Sequence, residues 1–147
     1  MAKSDFNFKH TLRVRYSEID IQGVVFNAHY LTYFDVGITE YLRALGYDYN
    51  TQIERTGTDF HVVKSTIEYK IPIRYDQVIE IHVRVARIGR SSVTFNFEIY
   101  PKERDTLLSR GEVVWVNTHQ STHKSTPVPE DFRALVEAHQ KTRLNGS

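Results

Sequence analysis

Between residues 6 and 16 the chain alternates. Phe6, Phe8, Leu12, Val14 and Tyr16 fall on one side and Asn7, Lys9, Thr11, Arg13 and Arg15 on the other, with His10 the one polar residue on the apolar side. A period of two over that length predicts a half-buried strand, and Gly23 marks the turn out of it. From about Ala28 the period changes. Leu31, Phe34, Ile38, Leu42 and Leu45 recur at spacings of three and four, while Tyr30, Tyr33 and Tyr41 widen the stripe. That spacing predicts a long, largely buried helix, stopped by Gly46. Gly37 inside it costs ~1 kcal/mol relative to Ala, which predicts the close approach of another backbone.

A polar loop through Thr56-Gly57-Thr58 leads into more alternation. Phe60, Val62, Ile67, Tyr69 and Ile71 predict a strand with a register change near Lys64 and Ser65, a bulge, closed by Pro72. Ile79, Ile81, Val83 and Val85 alternate with Glu80, His82, Arg84 and Ala86. After the turn Gly89-Arg90-Ser91-Ser92, Val93, Phe95, Phe97 and Ile99 alternate back, which predicts a long hairpin. Residues 107–118 predict a last strand, with Val114 and Val116 facing opposite to Val113 and Trp115 and therefore covered in part on both faces. Pro127, Pro129, Glu130 and Asp131 open a short helix of about residues 129–141, sticky along Phe132, Leu135, Val136 and His139. The economical solution is an α+β fold: a curved antiparallel sheet of five strands wrapped round one long central helix, with a short helix at the C-terminus. No repeat or linker interrupts the pattern, so a single domain over residues 1–147 is expected.

Composition narrows the function. With 19 basic and 18 acidic residues the chain has no overall field to draw it to nucleic acid or to a membrane. It has no cysteine, which removes thiol catalysis, disulfides and cysteine zinc sites together. No apolar run reaches the ~18 residues of a membrane span, and Met1-Ala-Lys-Ser-Asp has no apolar signal core. The expected location is the cytoplasm. The terminal Asn145-Gly146-Ser147 receives no role.

The chemistry concentrates between Tyr16 and Gly46. Asp20 leaves a strand, a short loop carries Gly23, and the long helix begins near Asn27 or Ala28. That order can set a carboxylate beside the positive end of a helix, where backbone N–H groups hold developing negative charge. It can equally make Asp20 a turn or helix cap. Glu18, two residues earlier, is a second carboxylate and is expected as a solvated loop acid. His29 falls in the first helical turn. His119 and His123 have a spacing that suits a metal only on a helix, and they follow a strand, so no metal site is expected. Arg87 and Arg90 flank Gly89 in the hairpin turn, followed by Ser91 and Ser92. They read as a solvated turn or as a phosphate site, with Lys64 and Lys124 as weaker cations. The aromatics of residues 93–99 lie on the side expected to face the helix, which argues against a nucleic-acid platform.

The run Asp20-x-x-Gly23-x-Val25-x-Asn27-x-x-Tyr30-Leu31-x-Tyr33-Phe34, followed by the curled sheet, resembles the hotdog-fold acyl-CoA thioesterases, most closely the 4-hydroxybenzoyl-CoA thioesterase family and its short- and long-chain acyl-CoA relatives. The resemblance covers roughly residues 8 to 125. It implies hydrolysis of an acyl-CoA, with Asp20 as general base or nucleophile and with backbone N–H groups near Asn27 and Ala28 polarising the thioester carbonyl. It implies that Gly23, Val25, Phe26 and Tyr30 contact substrate, and that Arg87, Arg90, Ser91 and Ser92 lie near the coenzyme A moiety. Several relatives carry His where this chain has Asn27. Asn cannot act as a base, so Asp20 would carry proton transfer alone. No cofactor is implied beyond coenzyme A as part of the substrate. A homodimer or homotetramer is implied by edge-to-edge sheet pairing. Two rivals remain on the same scaffold: a non-catalytic acyl-thioester or small-ligand binding protein, and a dehydratase, for which His29 alone is poor support.

Overall fold

A computed structural model of the chain describes residues 3–140. The terminal Asn145-Gly146-Ser147 and residue 141, the last expected in the C-terminal helix, lie outside them. Phe8–Arg13 form β1, His29–Leu45 form α1 and Gln52–Thr56 form α2. Thr58–Tyr69 form β2, Val78–Ile88 form β3, Ser92–Pro101 form β4, Ser109–His119 form β5 and Glu130–Gln140 form α3. The five strands make one sheet in the order β1-β3-β4-β5-β2, so β1 and β2 are its edges. β1 runs antiparallel to β3, from Phe8 opposite Val83 to Arg13 opposite Val78. The element order is the expected hotdog one, a strand, a long helix, four further strands and a short helix, with α2 added where the pattern gave only a polar loop.

The described residues group into two compact units. The first holds those up to Tyr41 together with Ile67–Arg84 and Phe97–Gly111, and the second holds Leu42–Thr66, Val85–Asn96 and the remainder from Glu112 onward. In the first unit α1 lays Tyr33, Phe34, Ile38 and Tyr41 into a core with Ile79, Ile81, Val83, Phe97 and Ile99. The Phe34 and Phe97 rings stack at 4.3 Å between centroids. Gly37 explains itself here. A Cβ at this position would lie 2.9 Å from Cγ2 of Val83 and 3.0 Å from Cγ2 of Ile81. What approaches the helix is therefore a pair of β3 side-chain methyls and not a backbone, which corrects the sequence-based expectation.

In the second unit Phe132 of α3 meets Tyr47 edge-on at 5.1 Å and lies 5.3 Å from Phe60. Below them Asn117 Nδ2 donates to Thr58 Oγ1, Gln52 Nε2 donates to Asn117 Oδ1, and the Tyr47 hydroxyl donates to Gln52 Oε1 at 2.6 Å. Buried amides are tolerated because each finds a partner. Gln140 at the end of α3 exchanges two hydrogen bonds with the backbone of Val85, like one more strand residue.

Three details depart from the periodic pattern, and β5 follows it. β1 ends at Arg13, and a single 3₁₀ turn at Tyr16–Glu18 leaves Tyr16 76% exposed instead of facing the core. β2 is one continuous strand, and from His61 to Thr66 both of its faces are exposed, Val62 and Val63 included, because it is an edge. On β5, Val113 and Trp115 are buried while Val114 and Val116 are half-buried. On β3 the polar side is covered too: Glu80 and His82 are buried. Residues 3–6 lie over them, with the Phe6 ring edge-on to His82 and Lys3 over the ring of Tyr100.

Candidate active site

Val14 is the last buried residue before the chain turns. The turn at Tyr16–Glu18 hands it to a miniature hairpin with Ile19 bridging Val25 in antiparallel fashion. The Asp20 N–H donates to the Val24 carbonyl at 2.9 Å, and the Gly23 N–H donates back to the Asp20 carbonyl at 3.0 Å. Gly23 takes φ of 76°, where a Cβ is strained, so the glycine is what allows the chain to reverse here. The second arm of this hairpin pairs with residues 73–75, outside the five strands. Val24 bridges Arg74, the Val25 N–H donates to Ile73 at 2.7 Å, and the Tyr75 N–H donates to Gly23.

The hairpin leads straight into α1. Asn27 and Ala28 form the turn before it, and His29 is its first residue, one or two positions later than the pattern predicts. The His29 N–H donates to Phe26 and the Tyr30 N–H to Asn27. The N–H groups of Asn27 and Ala28 donate to no acceptor among the described residues, and both residues are exposed. They are two of the orphan donors that every helix start carries.

A half-open cleft with a volume of about 290 Å³ lies here. One wall is Asp20, Val25, Phe26, Asn27 and Tyr30; the other is Tyr69, Lys70, Ile71 and Pro72. The Tyr30 and Tyr69 rings meet edge-on at 4.8 Å. Burial pushes the Tyr30 phenol up despite the nearby Ile73 backbone N–H, so it stays a neutral hydroxyl. The Asp20 carboxylate accepts from the Gln22 N–H at 2.8 Å through Oδ1, and no described residue donates to Oδ2. The bland reading of Asp20 as a turn cap is thus half true: one oxygen caps and the other is left for solvent or substrate. Lys70 is held by Glu68 at 2.8 Å.

Most of the expected site comes together. Asp20, Val25, Phe26, Asn27 and Tyr30 line one cleft, Gly23 turns the loop above it and Ala28 adjoins Asn27. Arg87, Arg90, Ser91 and Ser92 belong to the second unit and are not among the lining residues. There the Gly89 N–H closes the turn on the Ser92 carbonyl at 2.8 Å, and Ser92 Oγ fills the place a Gly89 side chain would need. Glu18 is not the solvated acid the sequence suggests. It is 3% exposed, bonded to Arg15 and to the Tyr33 hydroxyl, and is not among the residues lining the cleft. Residues 69–72 are the part of the site that sequence reasoning misses. Their one local signal is the strand ending at Pro72, which says nothing about what they will face. Among the described residues no group of three or more His, Cys, Asp or Glu is placed to hold a metal, and no helix is long and apolar enough to cross a membrane.

Comparison with known proteins converges on one family. The model of the thioesterase-like superfamily matches residues 14–136. The chain is similar to the acyl-CoA thioester hydrolase YbgC of Escherichia coli O6:H1, 31% identical over 128 residues that cover 86% of this chain and 93% of the relative. Among solved structures it superposes on PA5185 of Pseudomonas aeruginosa with a TM-score of 0.81, at 26% identity and 96% coverage of both chains. It also superposes on Slr0204, a 1,4-dihydroxy-2-naphthoyl-CoA thioesterase from Synechocystis, with a TM-score of 0.82 over 88% of this chain and 94% of that one; at 17% identity the likeness is one of fold.

Proposed function

Because the chain belongs to the thioesterase-like superfamily, we propose that it hydrolyses an acyl-CoA to the free acid and coenzyme A, with Asp20 as the catalytic carboxylate. One observation carries this reading. A carboxylate with a free oxygen and two unengaged backbone N–H groups at the start of α1 belong to one short stretch, and Asp20 and Asn27 line the same cleft.

The chemistry follows from those groups. The thioester carbonyl oxygen is placed at the N–H groups of Asn27 and Ala28, where the partial positive charge of the helix start favours the oxyanion. Asp20 Oδ2 takes a proton from a water molecule as that water adds to the carbonyl carbon. The tetrahedral intermediate collapses, the C–S bond breaks, and the departing thiolate recovers the proton from Asp20. In the nucleophilic variant Asp20 attacks first, expelling the thiolate, and water then cleaves the mixed anhydride; ¹⁸O found on Asp20 after single-turnover hydrolysis in H₂¹⁸O, from water attack at the Asp20 carbonyl, identifies this variant. A carboxylate and backbone N–H groups cover every step, so the proposed chemistry calls for no cofactor. The edge strand β2, with Val62 and Val63 exposed on its two faces, supports pairing with a second copy into a homodimer or a pair of dimers. The test is turnover of a panel of acyl-CoAs, aromatic, short and long, followed by thiol release. Saturable hydrolysis of at least one supports the proposal; binding of coenzyme A thioesters without any release contradicts it.

A further inference from the structure

The cleft explains Asp20 but not Glu18, the most thoroughly satisfied carboxylate beside it. Glu18 Oε1 accepts from the Arg15 N–H at 2.8 Å and from the Tyr33 hydroxyl at 2.9 Å. Oε2 accepts from Arg15 Nε at 2.9 Å and from its terminal nitrogen at 2.5 Å. Burial alone would raise this carboxyl, but the Arg15 N–H, the guanidinium and the Tyr33 hydroxyl outweigh it and hold it below the usual carboxylate range. A carboxylate with four donors has no lone pair left for a substrate proton, and Glu18 does not line the cleft. It is therefore no candidate for the base.

Its partners say what it does instead. The Glu18 carbonyl accepts from the Phe26 N–H at 2.9 Å, which closes the base of the hairpin that presents Asp20. Its side chain reaches Tyr33, four residues into α1 and itself buried. One residue thus touches both halves of the catalytic arrangement: the loop holding the carboxylate, and the helix whose start supplies the N–H groups. We propose that Glu18 is a positioning residue, a buried strut that fixes the Asp20 loop against the N-terminus of α1 so that carboxylate and oxyanion donors stand at a set separation. This rests on the reading of Asp20 as catalyst. The need is strict, since a displacement of ~1 Å between reacting groups can cost ~10²-fold in rate.

Three variants test it, with Asp20→Asn run beside them on the same substrate and melting curves recorded for all. Tyr33→Phe removes only a hydroxyl and keeps the ring in the core. It is expected to melt as a folded protein and to lose roughly tenfold in kcat with KM nearly unchanged, the pattern of a group needed only in the transition state. Glu18→Ala is expected to lose ~10²-fold in kcat. Glu18→Gln keeps an acceptor for the Arg15 N–H and the Tyr33 hydroxyl, and is expected to recover most of that loss. Two results overturn the proposal. Wild-type kcat in Tyr33→Phe shows that the strut does not act, even if Glu18→Ala fails to fold. Equal inactivity of the Gln and Ala variants shows that an acceptor for the Arg15 N–H and the Tyr33 hydroxyl is not what the rate depends on. Asp20→Asn separates the two levels: if it is inactive while Tyr33→Phe and Glu18→Ala are normal, only the strut falls, whereas an active Asp20→Asn removes the catalytic reading beneath it.

Discussion

Gly37→Ala sets two known effects against each other at one position. In an exposed helix the change would stabilise by ~1 kcal/mol, because Ala gives up less backbone entropy. Here the new methyl would stand 2.9 Å from Val83 Cγ2 and 3.0 Å from Ile81 Cγ2, well inside ordinary contact distance. Neither neighbour can step aside easily. Both are fully buried, both are β-branched with a stiff χ1, and both belong to β3, which β1 flanks in the sheet. Overpacking of this kind costs ~1–3 kcal/mol. The difference is a net destabilisation of about 1 kcal/mol, or a fall in Tm of ~2–4 °C for a chain of this length. Gly37→Val should fall further. Thermal melts followed by circular dichroism, with a urea titration to check that the slope is unchanged, measure it. A Gly37→Ala variant that melts at or above the wild type would show that helix and sheet are not in contact at Val83 and Ile81, and the packing argument would fail.

Three further outcomes are expected. Burial alone would raise Glu80, but the Glu103 N–H, His82, Lys9 and Lys3 outweigh it and hold it at about 2. A depressed carboxyl stabilises the fold above its unfolded value and ceases to do so as pH falls towards the folded one. His82, lowered chiefly by burial, loses stability in the same direction. The unfolding free energy from urea titrations should therefore begin to fall below about pH 6.5 through His82 and drop further, by up to ~3 kcal/mol, between pH 5 and 2 through Glu80, and Glu80→Gln should flatten that lower step; an equally steep fall in the variant would assign the acid sensitivity elsewhere. Arg90→Ala should raise KM for an acyl-CoA up to about fivefold with kcat kept, since an exposed charge contact contributes no more than ~1 kcal/mol, and an unchanged KM would take Arg90 out of substrate binding. Light scattering at micromolar concentration should give a dimer or tetramer, and a monomer would count against pairing through β2.

Legibility in the sequence follows the range of the interaction. Residues 79–85 and 93–99 alternate because each strand has one face on a core, and that regularity needs no knowledge of the partner. The spacing of Phe34, Ile38 and Leu42 announces α1 in the same way, and Gly46, with φ of 78°, ends it. The Asp20-to-Tyr30 wall of the cleft is local, within a dozen residues, and so could be read directly. The wall at residues 69–72 could not. It faces Asp20 because Gly23, Val24 and Val25 pair with residues 73–75, a contact across about fifty positions that no period encodes. Glu18 shows a second limit. A carboxylate reads as solvated until its donors are known, and one of them, the Tyr33 hydroxyl, comes from a helix fifteen residues away. Glu80 and His82 show a third. A period of two implies one wet face, and residues 3–6 cover it instead.

Whether the Asp20 carboxylate performs proton transfer or attack is decided by Asp20→Asn. Asn keeps the size and can still accept from the Gln22 N–H, so the turn and the melting temperature should be preserved. What disappears is the charge and the basic oxygen. On the best acyl-CoA of the panel, kcat should fall by ~10²- to 10⁴-fold as base catalysis is lost, while the same thioester still binds, by calorimetry, with near wild-type affinity. A folded variant that binds substrate and hardly hydrolyses it is the predicted result. Near wild-type turnover by Asp20→Asn would contradict the account.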